Sequence, residues 1–289
     1  MTIGIGMLIP PKIRAQGIEG VISWAREVGL DALDLPADFS AAAQACGTAG
    51  MRIGTVEGKG VGRLISEDEA TRKQAMTEVA EQIRAMPAAG AGVLFACLVP
   101  ESRTQPIARS LELFAQSFGP VAAACEEAGV RVAFEGWPGP GPQYATLGYT
   151  PEVWRAMFAA VPSPSLGLCY DPSHLVRLGI DYLRVLEEFG QRINHCHGKD
   201  SELLPEQAYL YGNLPPVLSK APAFSEGYWR YCVPGDGVVD WAAIAYRLEL
   251  LGYAGCVSIE LEDARYWGSL EKEQQGIRKA YQKLARHFR

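Results

Sequence analysis

Short apolar runs alternate with amphipathic stretches from one end of the chain to the other. The runs are IGIGML from Ile3, ALDLP from Ala32, RIGTV from Arg52 and VLFACLV from Val93. VRVAFEG from Val130, SLGLCYD from Ser165, RINHCHG from Arg192 and GCVSIEL from Gly255 continue the series. Between them lie stretches with helical periodicity, among them IEGVISWAREVG, DEATRKQAMTEVAEQIRAM and ARSLELFAQSFGPVAAACEEAG. Several close on a glycine after a charged last turn, as in REVGL and EEAGV, a helix C-cap pattern. Continuous apolar strands separated by helices predict parallel strands buried on both faces. Eight such units in 289 residues fit a (β/α)8 barrel, followed by a C-terminal helical extension. A doubly wound open sheet is the alternative, but no GxGxxG follows the first run.

Two segments interrupt the rhythm. Residues 137–148 (WPGPGPQYATLG) make a Pro/Gly-rich loop after the fifth strand. Residues 201–234 make a long loop after the seventh, carrying Tyr209, Tyr211, Tyr228, Trp229 and Tyr231. Loops after barrel strands lie over the mouth where catalysis occurs. Packing against a neighbouring subunit is the competing reading. With no repeat beyond the β/α unit and no linker, residues 1–289 read as one domain.

Composition narrows the class. A net charge of −6 with no block of basic residues argues against a nucleic-acid surface. Cys46, Cys97, Cys125, Cys169, Cys196, Cys232 and Cys256 are odd in number and contain no CxxC pair, so they read as core fillers in a reducing compartment. The opening MTIGIGMLIP has no basic leader and no run of membrane length, which predicts a soluble, cytoplasmic protein.

The candidate chemistry sits at strand ends. Glu135 ends VRVAFE, Asp171 ends SLGLCYD, His197 ends RINHCH and Glu260 ends CVSIE. C-terminal strand ends share one mouth, and three carboxylates with an imidazole would repel there unless a cation lay between them. Oxygen-rich ligation with one nitrogen suits Mn²⁺, Mg²⁺ or Co²⁺, with Zn²⁺ possible; one divalent ion per chain is expected, Mn²⁺ first. Alternate strand residues share a face, so His195 and His197 both point inward or both outward, and if inward His195 lies one layer below His197. His195 is then a support or substrate contact, or else a satisfied core histidine. Lys199 binds substrate oxygens or forms a structural ion pair with Asp200.

These residues resemble the xylose isomerase-like TIM barrels, in particular the sugar phosphate isomerase/epimerase group that includes the ketose 3-epimerases. The likeness rests on FEG after strand five, DPSH after strand six, HGKD after strand seven, the PGDGVVDW turn and SIE of strand eight. It implies that Glu135, Asp171, His197 and Glu260 hold the metal, and that Glu135 and Glu260 also act as the acid/base pair. It implies a substrate-hydroxyl contact for His174 and a substrate-binding role for Arg230. It also implies a homodimer or homotetramer. The GPG loop carries no second glutamate like that of the ketose 3-epimerases, so sugar specificity does not carry over.

The expected function is a sugar isomerase or epimerase that removes a proton beside a carbonyl and passes through an enediolate. Loss of a β-hydroxyl from the same intermediate would make the enzyme a lyase or dehydratase on a keto-sugar, inositol or glycoside. Trp137 and the aromatic loops read as a stacking platform for a carbohydrate or polyol, or as a subunit contact. Three rivals remain: a metal-free hydrolase using Glu135 and Glu260, a non-catalytic sugar-binding barrel, and a nuclease with a histidine-rich trinuclear zinc centre. The shortage of histidines and the negative charge weigh against the last.

Overall fold

In the computed structural model, which describes residues 3–288, each of the eight apolar runs contains a strand. They are β1 (Gly4–Leu8), β2 (Ala32–Leu35), β3 (Arg52–Glu57), β4 (Val93–Ala96), β5 (Arg131–Glu135), β6 (Leu166–Tyr170) and β7 (Ile193–Gly198). A short pair, β8 (Asp200–Leu203) and β9 (Trp229–Cys232), precedes the eighth, β10 (Cys256–Ile259). The strand order β1-β10-β7-β6-β5-β4-β3-β2 closes on itself as a parallel barrel, while β8 and β9 form a separate two-stranded sheet.

The chain groups into two compact units. The first takes the chain up to Leu33, residues 171–190 and the chain from Cys196 onward. Its strands pair in parallel register, Gly4 with Cys256 and Met7 with Ile259, then Val257 with Cys196 and Ser258 with His197. The C-terminal extension is the helix Leu270–Phe288. Ile277, Ala280, Leu284 and Phe288 are buried along it, the three-to-four spacing of a helix laying one stripe on a core.

The second unit comprises residues 34–170 and 191–195. Here β3 to β6 pair in sequence order, with Phe95 opposite Ala133 and Glu135 opposite Cys169. The helix Ile107–Ala128 stacks Phe114 on Phe118 at 4.3 Å and turns both edge-on to Phe134 of β5. Such aromatic clusters combine large buried area with favourable ring geometry. That helix ends at Gly129, whose φ of 67° lies in the left-handed region that a Cβ disfavours, as EEAGV predicts.

The segment 201–234 differs from a plain loop. Its ends pair as the β8–β9 hairpin, with Asp200 opposite Cys232, Glu202 opposite Arg230 and Leu203 opposite Trp229. A helix, Pro205–Tyr211, follows β8. Pairing of its ends sorts the aromatics: Trp229 and Tyr231 are buried, whereas Tyr209 is 86% exposed.

Candidate functional site

Asp171 follows β6 directly and caps the helix Pro172–Leu178. One oxygen, Oδ1, accepts from the Ser173 backbone N–H at 2.8 Å and from Ser173 Oγ at 2.6 Å. The capping need of a helix start therefore fixes the carboxylate plane. Oδ2 is left facing inward, 3.2 Å from Lys199 Nζ, 3.4 Å from His174 Nε2 and 3.9 Å from His197 Nδ1. It is buried, and none of these neighbours meets hydrogen-bond geometry with it.

Strand alternation puts His197 and Lys199 on one face of the chain leaving β7. His197 Nδ1 lies 3.2 Å from Glu260 Oε2. Lys199 is buried, and its Nζ sits 2.5 Å from Glu260 Oε2 and 3.1 Å from Glu262 Oε2. Burial works against the charged ammonium, but Asp171, then Glu260 and Glu262, hold its pKa well above the usual lysine range. Lys199 thus stays a cation inside the first unit.

Asp200, the next residue, turns the other way. Oδ1 accepts from the backbone of Ser201 and Val239, and Oδ2 from the backbone of Gly235 and from Trp241 Nε1. Burial raises its pKa, and these four donors counter that rise. It anchors the PGDG turn. A Cβ at Gly237 would collide with Asp200 Oδ1 and the Ser201 carbonyl, which is why that turn carries a glycine. Of the two roles open to Lys199, an ion pair with Asp200 is not among the contacts found; its partners are Asp171, Glu260 and Glu262.

His174 lies three residues past Asp171, on the same helix face. Its Nδ1 is 2.6 Å from Tyr231 Oη, which also accepts from Arg177 Nη1 at 3.0 Å. Arginine can only donate, so Tyr231 Oη accepts from Arg177 while it meets the imidazole. On its other side the ring meets Lys199, whose Nζ lies 3.2 Å from His174 Nε2. Arg177 is itself held at 2.5 Å by Glu226 and stacks 4.4 Å over Trp229. Burial raises the Tyr231 phenol well above its ordinary range, so it remains a neutral hydrogen-bonding group. Arg177 and Glu262 were not legible as site residues, because nothing in their local sequence separates them from structural polar groups, and Tyr231 was legible only as one of the loop aromatics.

Arg230, the neighbour of Tyr231 on β9, faces away from it and pairs with Glu202 directly across the hairpin. Its Nε is buried without a hydrogen-bond partner. In the second unit, Glu135 ends β5 and is buried. Trp137 is half-buried in the loop that follows. His195 is also buried there, with Nε2 3.2 Å from Asp34 Oδ2, whose other oxygen accepts from the Thr55 backbone.

Asp171, His197 and Glu260 each offer one ligand atom, all within 4.8 Å of one another. Two carboxylate oxygens and one imidazole nitrogen, one oxygen lacking a hydrogen-bond donor, suit a divalent cation. Among the described residues no helix is long and apolar enough to cross a membrane, and no cysteine forms a disulfide.

The profile of the xylose isomerase-like TIM-barrel family matches residues 13–287. An inosose dehydratase of Geobacillus thermodenitrificans is 33% identical over 114 residues, which is 39% of this chain and 36% of that protein. The chain thus spans little more than a third of the length of that curated relative. By fold, it is similar to the 3-keto-D-glucoside 4-epimerase YcjR of E. coli, with a TM-score of 0.69 and 13% identity over 97% of this chain and 99% of the other. It is also similar to the IolI protein with a bound zinc atom, with a TM-score of 0.66 and 15% identity over 99% and 96%.

Proposed function

This chain belongs to the xylose isomerase-like TIM barrels, and we propose that it is a metal-dependent enzyme removing a proton beside a carbonyl of a small sugar or polyol. The observation that carries the proposal is the convergence of Asp171, His197 and Glu260, three donors of the right chemistry for one divalent ion. Glu135 is proposed as the fourth ligand. Bound there, the ion would polarise the carbonyl and stabilise negative charge formed on its oxygen. Glu260, whose Oε2 lies 2.5 Å from Lys199 Nζ in this structure, takes the proton. His174, held through Nδ1 by Tyr231 Oη at 2.6 Å, contacts a substrate oxygen. Glu135 returns a proton to the opposite face or to the adjacent carbon, giving epimerisation or isomerisation. We read Trp137 as a stacking surface for the ring, and Arg230 and His195 as substrate contacts.

A second outcome of the same step is elimination of a β-hydroxyl. The likeness to an inosose dehydratase supports it, because that relative is matched in sequence, at 33% identity over 114 residues. Both outcomes share proton removal, so one experiment tests the common step. Metal-loaded protein is incubated in heavy water with keto-sugars and inososes and followed by NMR. Deuterium should enter at the carbon beside the carbonyl, and Glu260→Gln should abolish that entry. Substrate turnover with label retained at its original carbon and no isotope effect would overturn the proposal.

A further inference from the structure

Lys199 stands where cations belong. Its Nζ touches Glu260 Oε2 at 2.5 Å, Glu262 Oε2 at 3.1 Å and Asp171 Oδ2 at 3.2 Å. Two of these three carboxylates are the proposed metal ligands; Glu262 is not. An ammonium and a divalent ion sharing one oxygen of Glu260 would repel strongly in a buried site. Either the lysine excludes the metal, or it has somewhere else to go.

The geometry points to Glu262 as that place: it holds the Lys199 ammonium when Glu260 turns to a divalent ion. Glu262 lies two residues past Glu260, beyond the end of β10, and its side chain is 32% exposed against 18% for Glu260. It therefore sits on the outer side of the cluster. The flexible four-carbon stem of lysine permits a shift along the row from Glu260 to Glu262 without losing a charged partner. Glu262 is a positioning residue: it touches neither substrate nor metal, but decides which oxygen the lysine occupies.

This inference rests on reading Asp171, His197 and Glu260 as metal ligands, and a binding cycle separates the two. Mn²⁺ affinity is measured by calorimetry on the full chain stripped of metal, for wild type, Glu262→Gln, Lys199→Met and the double variant. Glu262→Gln should weaken Mn²⁺ by about tenfold or more, the usual scale for a group supporting a metal ligand. Lys199→Met should tighten it. In the Lys199→Met background, Glu262→Gln should change affinity by less than about threefold, because there is no ammonium left to hold. Lys199→Gln closes the same cycle if the methionine variant does not fold. An equal loss in both backgrounds would mean plain removal of a negative charge and overturns the role given to Glu262. So does an unchanged affinity in Glu262→Gln alone. A wild type that binds Mn²⁺ no better than Asp171→Asn overturns the metal reading itself.

Discussion

Single side chains in this site serve two neighbours at once, and their second tasks are what the fold exploits. Asp171 caps a helix with one oxygen and presents the other to Lys199, His174 and His197. Tyr231 accepts from Arg177 while facing His174 Nδ1, so one hydroxyl connects the hairpin to the helix Pro172–Leu178. Tyr231→Phe keeps the ring over Lys199 but removes that link. We expect turnover to fall about tenfold, with a stability loss of about 1–3 kcal/mol for the donors left unpaired. Steady-state kinetics should show the loss mainly in kcat. Adding His174→Ala to Tyr231→Phe should cost much less than His174→Ala alone, since both act through one imidazole. Additive losses would place Tyr231 outside that network.

At the scale of elements, the strand-to-hairpin passage from β7 into β8 is where direction is set. Alternation sends Lys199 into the carboxylate cluster and Asp200 into the turn that begins at Gly235. Asp200 gathers four N–H donors from both ends of the excursion, so one carboxylate ties β8 to the start of the helix Trp241–Leu250. Asp200→Asn replaces an anionic acceptor with a neutral amide and turns an NH₂ group toward two of those donors. Unfolding by denaturant should show a loss of about 2–4 kcal/mol. Amide exchange should speed up first across Ser201, Gly235 and Val239. Unchanged protection there would mean that the hairpin is held by its own ladder instead.

For the whole molecule, the acid limb of stability has an identifiable contributor in Asp263. Burial opposes its ionisation, but Arg265, held at 2.7 Å, and the Val233 N–H keep its pKa below the ordinary aspartate value. A depressed folded-state pKa stabilises above the unfolded value of about 4, and that contribution is lost as pH falls through the folded value. Asp263→Asn should therefore lower Tm near neutral pH and flatten the fall in Tm on the acid side. An acid limb of unchanged steepness would assign the effect to other carboxylates.

The alternation of apolar runs and helical stretches determined the eight strands, because burial on both faces demands runs that no helix or loop of this length would carry. It also placed Asp171, His197 and Glu260 at strand ends, and these three offer ligand atoms within 4.8 Å of one another. The faces of β7 were legible too, since a period of two is local. What lay opposite each face was not. Lys199 and its partners are separated by 28, 61 and 63 residues, so only the folded chain could choose Asp171, Glu260 and Glu262 over the adjacent Asp200. The same holds for β9, where local sequence draws attention to Arg230 but the hairpin register pairs it with Glu202 and turns Tyr231 to His174. Periodicity is a property of neighbouring residues; a charged side chain's partner is set by chain closure over dozens of residues, and that belongs to the tertiary structure alone.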